Sequence, residues 1–271
     1  MIKTENIIKA QARNYLRQGN WSTLVGCLAV LFICFFLVYY VFGTLIFGFN
    51  LVNIHTGEIK KSGQLLGGIF FMIALLLLIL ITPIINGFFK LCYSVAKNQD
   101  CSSIDLFYYF KNPILYFKVI LLNILRFFII LLSTFVFSIP ASVIFVLSDN
   151  LSGSSSALFQ SISVILMIIS AVLQIIGLFA VFCLYTKTVF CNYILADDDS
   201  KNAGWYIKES FKLSKGHNID IIKLILSFIL WILACFFVFP VFYVIPYMGV
   251  SLGNSAKWLI QLKKEASDLK C

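Results

Sequence analysis

An all-α, polytopic membrane bundle is the fold class this sequence predicts, and three observations predict it. Of its residues, 61% are hydrophobic and 12% charged, with a mean hydropathy of +0.95; soluble domains hold roughly 45–50% and about 25%. So few polar side chains cannot cover a water-facing globule, so lipid is the expected solvent. Apolar runs of about 20 residues, the length of a span, recur along the chain. Lysine and arginine gather in alternate connections between those runs, as the positive-inside rule requires. The expectation is one integral-membrane domain over residues 1–271, with six transmembrane helices, cytoplasmic amphipathic interfacial helices and a threefold internal hairpin repeat.

Residues 1–20 form the first element, a cytoplasmic amphipathic helix. Lys9, Arg13 and Arg17 recur every fourth residue, and Ile8, Ala12, Tyr15 and Leu16 share another face. The apolar run that follows, about 26 residues, is too long for the h-region of a cleavable signal. Spans are expected at 21–48, 65–89, 120–147 and 158–185. Pro83 and Pro140 are placed to kink the second and third. The last apolar stretch, Ile219–Ile260, exceeds one span and contains Pro240 and Pro246. It reads as two helices, 219–238 and 240–260, turning near Val238–Pro240, or as one span with a re-entrant piece.

Charge sets the orientation. Lys3, Lys9, Arg13 and Arg17 precede the first span. Lys90, Lys97, Lys111 and Lys118 lie in or beside 90–119, five lysines from Lys187 to Lys215 in 186–218, and Lys263, Lys264 and Lys270 in 261–271. The opposite side has Lys60 and Lys61. Both termini are therefore expected in the cytoplasm, with an even number of spans. The net charge of +9 reads as topology and contact with anionic headgroups, not nucleic acid, because no zinc-finger spacing or RNA-binding aromatic pattern accompanies it.

Three times an amphipathic segment meets a turn signal and enters a hairpin: Ile7–Gln18 before Gly19-Asn20-Trp21, Ser103–Lys111 before Asn112-Pro113, and Ser200–Lys215 before Gly216-His217-Asn218. In the third, Lys208, Lys212 and Lys215 make a basic stripe, and Ile207 and Phe211 an apolar one. Ser200 is placed to cap its start and Gly216 to close its end. A basic face opposite an apolar one lies on anionic lipid; docking to a membrane-protein partner is the rival reading.

Few residues suggest chemistry. Asp197, Asp198 and Asp199 form the densest acidic run, but adjacent residues on a helix diverge, so a solvated stretch is expected rather than a cation site. Arg126 is the charge placed well inside a span, and Lys223 is similar, just inside the fifth. An intramembrane charge suggests function, yet Lys118 lies close by and the side chain is expected to snorkel to the headgroups. Asn86, Asn123, Gln174 and Asn254 suit interhelical hydrogen bonds. The eight cysteines lack a CxxC pair and read as reduced packing residues. No HExxH, GxSxG or Walker motif occurs, so neither catalysis nor a metal or cofactor is expected.

Tyr193-Ile194-Leu195-Ala196-Asp197-Asp198, Glu209-Ser210, Lys215-Gly216, Leu226-Ser227-Phe228 with Trp231, and Pro246-Tyr247 resemble the bacterial integral-membrane family catalogued as domain of unknown function 975. Ala12, Leu16 and Gly19-Asn20-Trp21 are similar to its opening, and Asp105-Leu106-Phe107 with Phe110 to its middle motif. Asp199, where the family usually has proline, and Ser214, where it often has methionine, depart from it. The resemblance implies a multi-span protein of the bacterial cytoplasmic membrane and carries no activity or catalytic residue. The functional expectation is a non-catalytic accessory or regulatory component of an export or envelope-stress system. A small transporter or channel is the alternative and a membrane enzyme the third.

Overall fold

Glu5 in the first turn and Arg13 in the last match the dipole of the opening helix, α1 (Glu5–Tyr15), and Glu5 pairs with Lys9 at 2.8 Å across one turn. The computed structural model describes residues 5–48, 61–153, 156–237 and 240–268. Lys3, His55, Lys60, Val238, Lys270 and Cys271 lie outside them, as do 154–155 of the second hairpin's turn. Among the described residues every regular element is helical.

No turn follows α1. Gly19-Asn20 belongs to a π-helical segment, Leu16–Asn20, flanked by helical dihedrals at Tyr15 and Trp21, so the chain runs unbroken into α2 (Trp21–Gly48). A wider π turn absorbs residues without ending a helix, and the buried stripe of Ile8, Ala12 and Leu16 continues as Leu24 and Leu28 in one cluster. The next helix, α3 (Lys61–Ala96), contains Pro83. It ends at Asn98, whose φ of 58° is the left-handed conformation that Asn tolerates at helix ends. A 3₁₀ helix, Ser103–Phe110, opens with a capping box between Ser102 and Asp105. Asn112 caps α4 (Pro113–Ser152) by accepting from the Ile114 N–H at 2.9 Å, with proline at the first helical position.

The 40 residues of α4 span about 60 Å at 1.5 Å per residue. They form an antiparallel hairpin with α5 (Ala157–Thr188), in which the Ser148 hydroxyl donates to the Ser163 carbonyl at 2.6 Å. Short helices follow: α6 (Cys191–Asp197), α7 (Ala203–Ser214), α8 (Asn218–Leu226) and α9 (Ile229–Ala234). The last is α10 (Val241–Asp268).

Two regions of different character result. A head gathers α1, the start of α2, the end of α3, the 3₁₀ helix, the α4–α5 ends, α6 to α8 and α10 around one buried cluster. At its centre Tyr193 of α6 donates to the Gly249 carbonyl at 2.8 Å. Gly249 and Gly253, four residues apart on α10, let that helix approach Cys92 of α3 and Tyr193. From the head project arms whose apolar side chains face outward: Phe36 is 66% exposed, Phe135 63% and Ile175 66%.

Among the described residues three stretches are long and apolar enough to cross a membrane, Trp21–Tyr40, Pro113–Ser152 and Leu158–Asp197. They number four if α7 and the α8–α9 segment, bent by 92°, count as one. The fifth expected span, 219–238, is broken at Ser227–Phe228 between α8 and α9. The sixth, 240–260, lies in α10, which is not among those stretches because Ser251, Asn254, Ser255 and Lys257 interrupt its apolar run. The first three of these are buried in the head. Of the second expected span, α3 supplies a described apolar stretch at Ile81–Ala96.

Candidate functional site

Arg126 follows Leu115, Val119 and Leu122 on α4, at alternating spacings of four and three that keep a residue on one helix face. Those three are buried, so the guanidinium falls where an apolar side chain is expected. It does not snorkel outward. Its Nη1 donates to Oδ1 of Asn192 on α6 at 2.7 Å, and Asn192 is itself buried. Its Nε is buried without a hydrogen-bond partner. The expectation of snorkelling treated proximity to Lys118 as decisive; the heptad phase of α4 was the signal that places Arg126 inward.

Arg126 and Asn192 form the polar wall of a cavity of about 420 Å³ where arms meet head, a volume typical of small-ligand sites. Leu28 and Leu31 of α2, Phe88 of α3, Ile225 of α8 and Leu252 of α10 supply much of the apolar lining. No carboxylate is among the described lining residues. The rim is open at Phe32 and Phe35 of α2, 41% and 39% exposed, and at Ile245 of α10, 38% exposed.

The remaining intramembrane polar candidates are not gathered there. Asn86 and Asn123 donate to carbonyls one turn back in their own helices, Thr82 and Val119, both at 2.9 Å. Asn254 instead ties α10 to α1, donating to Gln11 at 3.0 Å and to the Ile8 carbonyl at 3.4 Å. Neither Asn86, Asn123 nor Gln174 is among the described residues lining the cavity.

The acidic run after α6 is a latch rather than a solvated stretch. Asp197 accepts from the Tyr93 hydroxyl at 3.1 Å and pairs with Lys97, both at the end of α3. Asp198 turns the chain by accepting from the Ser200 N–H at 2.9 Å. Hydrogen bonds from Ser200 hold its carboxyl below the usual carboxylate range. Asp199 accepts from the Tyr108 hydroxyl at 2.8 Å, and its carbonyl takes the Lys118 ammonium at 2.6 Å. That bond raises the Tyr108 phenol pKa. The carboxylates of Asp197 and Asp199 thus join the end of α6 to α3 and the 3₁₀ helix, and the backbone carbonyl of Asp199 joins it to α4. Among the described residues no cluster of His, Cys, Asp or Glu could hold a metal.

The basic residues divide by depth. Lys9 is half-buried, paired with Glu5 and 4.8 Å from the Phe228 ring centroid. Arg13 and Arg17 are exposed, and with Trp21 and Tyr243 they border a notch of about 220 Å³. The apolar face of α1, expected on lipid, packs on the chain's own core instead. On α7, Lys208 and Lys212 are exposed, as is Lys215 just beyond its end. Its buried face, however, is centred on Ala203, Tyr206, Glu209, Ser210, Leu213 and Ser214, with Ile207 packed at its edge and Phe211 half-buried. The Ser210 hydroxyl makes this inward face useful by donating to the Lys187 carbonyl at the end of α5 at 2.6 Å. Ser200 does not cap α7: Asn202 holds that position, without a side-chain bond. Gly216, with φ of 88°, does close the helix.

Buried Glu209, paired with Lys263 of α10, was read from the sequence only within a family motif and given no role. Its position among apolar neighbours on α7 was the available signal, because an acid at a buried helix position requires a partner. No curated protein and no solved structure matches the chain. The family model described as "Protein of unknown function (DUF975)" matches residues 1–255. Nearly the whole described fold, from α1 to the middle of α10, lies within that match, and the chain belongs to the DUF975 family.

Proposed function

We propose that this is a multi-span protein of the bacterial cytoplasmic membrane, with both termini cytoplasmic, that supports or regulates another membrane system without catalysing a reaction. The observation that carries the reading is the division between head and arms. The head ties its elements together through hydrogen bonds accepted by Asp197 and Asp199, whereas the arms expose Phe, Ile and Leu side chains along their length. Lipid is the solvent in which that exposure costs nothing. The positive charges at the head end support a cytoplasmic head. Exposed Arg13 and Arg17 beside Trp21 and Tyr243 suit contact with anionic headgroups. Lys208, Lys212 and Lys215 are the surface offered to a membrane-protein partner.

In this reading the element order repeats three times as a short helix followed by a hairpin. The first two hairpins cross the bilayer and the third, built from α8–α9 and α10, is re-entrant. This replaces six full spans and keeps the termini on one side. The accessory role is tested by cross-linking in intact membranes from Lys208, Lys212 and Lys215 before mild-detergent purification. A defined membrane-protein partner, lost when these three lysines become glutamine, is the expected result. An isolated oligomer of the chain alone counts against the role.

A further inference from the structure

The cavity holding Arg126 has a chemistry that membrane residence does not explain. A guanidinium in an apolar wall is costly unless its donors are used and its charge is met. Asn192 is neutral and engages only Nη1; Nε–H is buried and unpartnered, and no acid is among the described lining residues. The Nε edge of arginine presents the parallel N–H pair that meets two oxygens of a carboxylate. Apart from Asn192 and the phenol of Tyr185, the wall around this single charge is apolar, and it opens between aromatic and aliphatic side chains at Phe32, Phe35 and Ile245.

We propose that this cavity binds one long-chain carboxylate, a free fatty acid, with its head on Arg126 and Asn192 and its chain against α2, α3 and α10. The proposal deepens the membrane reading, on which it rests for the ligand's supply through the exposed rim. One positive charge matches one carboxylate, and a cavity of about 420 Å³ suits one chain better than the paired chains of a phospholipid. The Nε–H then gains its acceptor, while Asn192 keeps the guanidinium oriented.

The test uses the full chain purified in maltoside micelles and a hexadecanoate probe carrying a diazirine near its methyl end. Photolabelling is expected on lining residues such as Leu31, Phe35 or Leu252, and hexadecanoate is expected to compete whereas hexadecan-1-ol does not. Arg126→Gln is expected to weaken labelling about tenfold or more, the loss of a charge-assisted pair, with Arg126→Lys intermediate. Competition by the alcohol equal to that by the acid would overturn the proposal on the wild-type chain, whatever the variants do. So would labelling confined to the outer faces of α4 and α5, or unchanged labelling in a folded Arg126→Gln protein. Stronger competition by a lysophosphatidate than by the carboxylate would overturn the choice of headgroup. Membrane residence is read separately: a chain released from membranes by carbonate fails that reading, while the micelle competition still reports on the ligand.

Discussion

Single atoms decide how closely the elements of the head approach. A β-carbon at Gly87 of α3 would lie 1.9 Å from the carbonyl oxygen of Leu106 in the 3₁₀ helix, whereas one at Gly26 of α2 meets nothing within 4 Å. Backbone cannot yield as a flexible side chain can. Gly87→Ala is therefore expected to cost about 3 kcal/mol. Gly26→Ala is expected to be neutral or to stabilise by up to about 1 kcal/mol through helix propensity. Thermal unfolding of both in one detergent checks the contrast. At the latch, Asp197→Asn removes the charge that Lys97 meets and weakens the acceptor for Tyr93. A loss of about 1–2 kcal/mol is expected. Asp198→Asn, which touches only its own turn, should cost about 0.5 kcal/mol. Equal effects of the two would contradict the division of labour assigned to these carboxylates.

Between elements, the third hairpin differs from the other two. Asn218–Ala234 rises about 25 Å and the 3₁₀ turn Cys235–Phe237 about 6 Å more, which only just matches a bilayer core of about 30 Å, whereas α4 alone spans about 60 Å. Its described end is strongly apolar, with Leu230 75% and Phe236 89% exposed. A cysteine introduced as Phe236→Cys in a chain cleared of its own cysteines is expected to stay unlabelled by an impermeant thiol reagent from either side. Labelling from outside would restore a full crossing. The same scale explains why element boundaries were only partly legible. Asn112-Pro113 starts α4 as its residue types dictate, because a cap and an N1 proline act locally. Gly19-Asn20 failed as a turn because packing of Leu16 and Leu24 on the core holds the chain helical through a π segment. The part of α7 that Ser210 and Ser214 play was not legible, because hydroxyl side chains carry no burial signal, yet each is buried and bonded to a carbonyl.

For the whole molecule, buried tyrosines tie stability to pH. Burial pushes the Tyr206 phenol up to about 12 and raises that of Tyr109. In the unfolded chain phenols ionise near about pH 10, so above that value the unfolded state loses protons that the folded head retains. The stability these groups contribute is complete below about pH 10 and falls as pH rises toward the folded values. The unfolding midpoint is expected to hold steady near neutrality and drop above about pH 10, with tyrosinate absorbance appearing together with unfolding. Gradual ionisation without loss of helix would contradict the burial.

What the sequence by itself determined is the all-helical class, most helix positions, the two long apolar arms from α4 and α5, and membership of the family. These depend on composition, run length and local capping, which each segment carries alone. Only the tertiary structure decided where the polar exceptions point. Asn192, Asp197 and Asp199 find their partners Arg126, Tyr93 and Tyr108 in segments far away in the chain, and their roles exist only once α3, the 3₁₀ helix, α4 and α6 meet. It also decided that the apolar face of α1 rests on the protein itself, since a hydrophobic stripe is equally satisfied by lipid or by a neighbouring helix. The polar residues of α10, Asn254 and Lys257, likewise found partners in the head that their sequence could not name.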